Sequence, residues 1–110
     1  MNTRFLSLFA GMAFSMAANC ATAQEMGDAK AGFGYAGQVC AECHAVRADE
    51  SKSPHAQAPS FQTVADTSGM TGMALRVWFQ TAHRSMPSLV LSKENSDNVI
   101  AYILSLKKRS

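Results

Sequence analysis

Residues 38–47 read QVCAECHAVR. Two thiols, Cys40 and Cys43, stand three positions apart, and the imidazole of His44 follows at once. Three chemistries use such a cluster: a clamp for c-type haem, a zinc site and a redox dithiol. Each needs a different scaffold, so the choice among them decides the fold.

The haem clamp accounts for every residue of the motif. The two vinyl groups on one haem edge lie a fixed distance apart, and thiols three positions apart add across both. The residue that follows is then carried beneath the iron, where an imidazole nitrogen is a good axial ligand. Zinc needs a fourth ligand beyond Cys40, Cys43 and His44, which His55 or His83 could supply. Adjacent side chains point apart, however, so His44 does not readily join both thiolates around one tetrahedral ion. A redox dithiol sits at a helix start in a βαβ setting, and this chain offers no convincing sheet.

The N-terminal segment places the cysteines in a compartment. Arg4 gives a positive start, Phe5 to Ala18 form an apolar and small-residue run of 14 residues, and Ala21-Thr22-Ala23 is a small-x-small cleavage pattern. The run is short of the roughly 20 residues a membrane span requires. Residues 1–23 are therefore read as a signal peptide, and residues 24–110 as one domain of 87 residues acting in the periplasm. Cys20 is the alternative anchor, as an acylated N-terminus. Asn19 before it fits a lipoprotein signal poorly, so Cys20 is expected to leave with the leader.

Ten basic and eight acidic residues give a formal charge of +2, and loss of Arg4 with the leader leaves +1. That balance suggests neither nucleic acid nor an anionic membrane as a partner. The KKRS cluster at 107–110 reads as a solvated helix terminus, where cations suit the dipole. A domain of this size has a marginal core and gains from a cofactor within it.

Capping residues punctuate the domain. Asp28 opens a helix running towards Cys40, interrupted by Gly32, Gly34 and Gly37. Residues 45–59, with Pro54 and Pro59, read as a loop. Ser60 caps a short helix over Phe61 to Ala65, and Thr71 caps another. MALRVWF at 73–79 alternates like a strand, yet Ala74, Leu75, Trp78, Phe79 and Ala82 share one helical face, with Arg76 and Gln80 opposite. The helix is preferred, since LVL at 89–91 is the one other strand candidate. Met73, on this helix, reads as core filling. Ser92 caps a last helix to about Leu106, with Val99, Ile100, Ile103, Leu104 and Leu106 on its apolar face. Three or four helices and no confident strand make an all-α domain.

A haem clamp also asks for a ligand on the far side of the iron. HRSMPSL at 83–89 offers one in Met86, whose following Pro87 restricts the backbone around it. His83 competes and would give bis-histidine iron at a lower potential. In sum the chain resembles the class I c-type cytochromes, monohaem and bacterial. The likeness runs from Gly32 through CAECH, APSF at 58–61 and ALRVWFQTAHRSMP at 74–87 to SKENSDNVIAYILSL at 92–106. Two departures stand out. The aromatic that many members carry four residues before the first cysteine is Ala36 here, with Tyr35 beside it. Trp78 does not clearly match the family's propionate-binding tryptophan, and reads as core.

The resemblance implies a cytochrome c fold, with three to four helices wrapped around one covalently bound haem c. Cys40 and Cys43 would carry the thioethers, and His44 and Met86 would ligate the iron. Pro59 would offer its carbonyl to the His44 ring, Tyr102 and Ile103 would pack on the haem or the first helix, and Gly32 would let the terminal helices cross closely. The implied function is outer-sphere electron transfer between redox protein partners by a monomeric, non-enzymatic carrier, with Arg84 a candidate for the contact rim. An electron-transfer subunit of a larger oxidoreductase, and a haem-based ligand-binding or sensing protein with labile Met86, are the alternatives.

Overall fold

A computed structural model describes residues 27–81, 86 and 90–108. The expected leader, Cys20, His83 and Arg84 lie outside these residues. Among the described residues the chain forms four helices and no strand: α1 (Ala29–Val39), α2 (Phe61–Asp66), α3 (Gly72–Gln80) and α4 (Lys93–Ser105). The all-α expectation holds, and residues 73–79 are helical.

Each helix starts where a short polar side chain satisfies a free backbone N–H of the first turn. Asp28 accepts from Lys30 and Ala31, Ser60 from Thr63, Thr71 from Ala74 and Ser92 from Asn95. α1 ends at Cys40, whose own N–H returns to the Ala36 carbonyl. The backbone then turns tightly, with Cys43 and His44 N–H groups both donating to the Cys40 carbonyl.

α1 and α4 make the closest helix crossing. A Cβ placed on Gly32 would sit 1.9 Å from the Asn98 carbonyl oxygen and 2.9 Å from the Tyr102 Cβ, so only glycine admits this approach. Asn98 also accepts a bond from the Asp28 N–H at 2.8 Å, which locks the crossing at its N-terminal end. Ala36 is fully buried one turn on. Phe33, exposed one turn before Ala36, brings its ring to 5.2 Å from that of Tyr102.

The core gathers Ala36, Cys40, Val46, Phe61, Ala65, Leu75, Val99, Ile100, Tyr102 and Ile103. α3 lies against α4 through Leu75 and Phe79, but its polar side differs from expectation. Arg76 is half-buried and pairs with Asp97 of α4 at 2.7 Å, while Lys93 holds the other carboxylate oxygen at 2.6 Å. Asp97 is itself buried. Its carboxyl is held below the ordinary range by hydrogen bonds from Lys93 and Arg76. The pairing turns α3 towards α4. Met73 is left 77 % exposed and Trp78 56 % exposed, so neither is the core residue its helix position suggested.

Within the basic C-terminus, Lys107 and Lys108 are tied to the rest of the domain. Lys107 donates to the Met70 carbonyl, the Lys108 ammonium meets Asp49 at 3.2 Å, and the Lys108 N–H donates to Asp66.

Candidate functional site

The Cys-x-x-Cys-His segment leaves the C-terminal end of α1. Cys40 is buried against the core, while Cys43 and His44 are half-buried and Cys43 lies one turn further along. Both thiols are free. Burial pushes the Cys40 thiol up to about 11. The attacking cysteine of a redox dithiol needs the opposite shift, and usually sits at a helix N-terminus that favours the thiolate. Cys40 caps a helix C-terminus. A dithiol catalyst is therefore a poor match to the site.

Three successive residues, His44 to Val46, are gripped by four different groups. The His44 Nδ1 lies 2.6 Å from the Pro59 carbonyl oxygen. A carbonyl has no proton to give, so Nδ1 carries the hydrogen and Nε2 keeps its lone pair. The Ala45 carbonyl accepts from the Phe61 N–H at 2.8 Å, and the Ala45 N–H donates to the Ser53 hydroxyl at 3.0 Å. The Val46 carbonyl accepts from the buried Tyr102 hydroxyl at 2.5 Å. The Phe61 ring stands 5.5 Å from the imidazole at a tilt of 51°.

α2 and the residues before it thus form the wall behind His44. Ser60 caps the helix, Phe61 packs on the imidazole, and Pro59 presents its carbonyl because proline fixes the backbone just ahead of the cap. The imidazole is held in one tautomer and one plane, with a nitrogen lone pair directed away from its anchor. That is the state a metal-ligating histidine requires. Among the described residues, no three His, Cys, Asp or Glu side chains stand close enough to hold a metal ion by themselves. His55 does not complete a zinc set. Its ring accepts from the Gln57 N–H, and its backbone N–H donates to the Cys43 carbonyl. Among the described residues the donor set is two free thiols and one oriented imidazole, which fits a haem clamp and falls one ligand short of a zinc set; His83, the other candidate fourth ligand, lies outside them.

Met86 is half-buried, six residues beyond the end of α3. Residues 82–85 and 87–89 around it lie outside the described residues, and His83 with them. The structure thus joins Cys40, Cys43, His44 and Pro59 into one unit and gives no contact for Met86. Sequence reasoning missed two members of the surroundings. Phe61 was read as the start of a helix and as part of the APSF likeness, with no contact to His44 assigned, although the Pro-Ser-Phe order places an aromatic one residue after the cap. Gln62 gave no signal at all.

No protein-family model matches the chain, and no solved structure matches it. The chain is 35 % identical over 80 residues to a cytochrome c-552 of Bradyrhizobium diazoefficiens, covering 73 % of this chain and 76 % of that protein. Likeness over that share of both chains, in a helical domain whose cysteines and histidine fit a haem clamp, shows that the protein belongs to the cytochrome c family and that its cofactor is haem c with its iron.

Proposed function

We propose that the protein is an exported, periplasmic electron carrier with a single haem c, attached through Cys40 and Cys43 and ligated by His44 and Met86. The observation that carries this reading is the 2.6 Å bond from His44 Nδ1 to the Pro59 carbonyl. It commits one ring nitrogen and leaves the other for the iron. It also raises the basicity of the imidazole.

Haem c supplies a one-electron ferric–ferrous couple at a potential set by its axial ligands and surroundings. The chain's residues hold that couple steady. Pro59 fixes the imidazole, and Phe61 and Tyr102 immobilise the wall behind it. With His44 and Met86 both holding the iron, no position on it would be left for a substrate. The protein is then a carrier and not an enzyme, exchanging electrons by an outer-sphere route in brief contacts with donor and acceptor proteins. A net charge near zero gives no ground for a nucleic-acid partner. Among the described residues no helix is long and apolar enough to cross a membrane. A monomer is the proposed state.

The sixth ligand is the testable point. Ferric haem with sulfur on the iron shows a weak near-infrared charge-transfer band, which bis-histidine iron lacks. The band is expected in the wild type, absent in Met86→Ala and retained in His83→Ala. A band that survives Met86→Ala refutes the assignment. Carbon monoxide binding by the reduced wild type at neutral pH points instead to a sensing protein with a labile methionine.

A further inference from the structure

Gln62 is a buried polar side chain to which the haem-site reading gives no task. It is 8 % exposed and uses both ends of its amide. Its oxygen accepts from the Asp49 N–H at 3.1 Å. Its NH2 group donates to Asp66 Oδ2 at 3.0 Å and to the Leu106 carbonyl at 2.7 Å. An N–H can only donate and a carbonyl can only accept, so these partners leave the amide one orientation. The partners belong to the 45–59 loop, to α2 itself and to the C-terminal cap of α4. Asp49 sits at φ 60°, a left-handed position, and Gln62 satisfies the N–H of that turn.

α2 has only six residues. A helix this short does not hold itself, so its position is set by what it is tied to. Phe61 and Ala65 anchor its apolar side in the core. Gln62 anchors its polar side, clamping it between the end of α4 and the Asp49 turn. Pro59 stands directly before the cap of this helix, so the Pro59 carbonyl moves wherever α2 moves.

We infer that Gln62 is a positioning residue: by locking α2 it keeps the Pro59 carbonyl on His44 Nδ1–H, and so sets how strongly His44 donates to the iron. This rests on His44 as the axial ligand. A firmly held Nδ1–H···O bond gives the imidazole more anionic character, which favours ferric iron. When α2 is freed, the bond loosens, the imidazole donates less, and the potential rises.

The test uses the haem-loaded protein with Gln62→Leu, which keeps similar bulk and removes all three bonds. Asp28→Ala is the control, since it removes the α1 cap far from α2 and lowers thermal stability without touching Pro59. Two quantities are read: the midpoint potential, and the exchange rate of the His44 ring N–H in the reduced protein by NMR. Gln62→Leu is expected to speed ring N–H exchange by at least about tenfold and to move the potential to more positive values. Asp28→Ala, at a comparable loss of thermal stability, is expected to change neither. If Gln62→Leu fails to fold, Gln62→Glu makes the same comparison, because it can still accept from Asp49 but cannot donate to Leu106. Wild-type exchange and potential in the Gln62 variant, or equal changes in variant and control, overturn the inference alone. If the oxidised wild type shows no paramagnetically shifted His44 ring signals, the axial assignment falls and the inference falls with it.

Discussion

Gly32 and Gly34 lie two residues apart on α1, and substituting each by alanine is expected to have opposite effects. At Gly32 the new Cβ meets the Asn98 carbonyl oxygen at 1.9 Å and its carbon at 2.5 Å, both backbone atoms that cannot rotate aside. Reaching an ordinary contact of 3.4 Å requires the two helices to separate by about 1.5 Å. That displacement unpacks Ala36, Val99 and Tyr102 at the crossing. Overpacking a tight core costs about 1–3 kcal/mol, and contact with fixed backbone belongs at or above the upper end. Alanine regains about 1 kcal/mol of helix propensity. The net loss for Gly32→Ala is therefore about 2 kcal/mol, or roughly 10 °C in Tm for a domain of this size. At Gly34 a Cβ meets nothing within 4 Å. There the propensity term stands alone, and Gly34→Ala should stabilise by about 0.5–1 kcal/mol. Urea unfolding of both holoproteins, followed by far-ultraviolet circular dichroism, reads the difference. Gly32→Ala with stability equal to or above the wild type would refute the close crossing.

Three further outcomes are expected. Tyr102→Phe leaves the Val46 carbonyl without its buried donor and should cost about 1–3 kcal/mol in urea unfolding. Asp97 has its folded pKa depressed by Lys93 and Arg76, so its contribution is complete above the ordinary aspartate range and is lost as pH falls through about 4 towards the lower folded value. Asp97→Asn should flatten that acid limb in a series of Tm measurements against pH. The matured protein should begin at Gln24 by mass spectrometry, and a chain beginning at an acylated Cys20 would instead mark a tethered carrier.

The caps of all four helices were legible because a helix N-terminus asks for an acceptor side chain, and Asp28, Ser60, Thr71 and Ser92 provide one. The haem c cofactor was legible because two thiols and an imidazole at this spacing suit few other groups. The α3–α4 contact was not. Periodicity ranks a residue by its own polarity, so it sends Arg76 and Asp97 to the surface. Their burial depends on each other, across two helices. The Phe33–Tyr102 ring contact escaped for a related reason: the two residues stand on different helices, and only the crossing geometry brings them together. Gln62 was illegible because its three partners lie 4, 13 and 44 residues away.

The bond from Asp28 to Asn98 joins residues 70 apart in sequence. Closing a chain segment of that length costs about 4 kcal/mol of entropy before any contact compensates, and folding that waits on distant pairings is slow. A chain made from its N-terminus therefore exposes residues 40–44 well before α4 exists to pack against α1. The thiols and imidazole are displayed first on an open, unfolded segment, accessible before the domain closes over them. The domain can shut only after its final helix has been released.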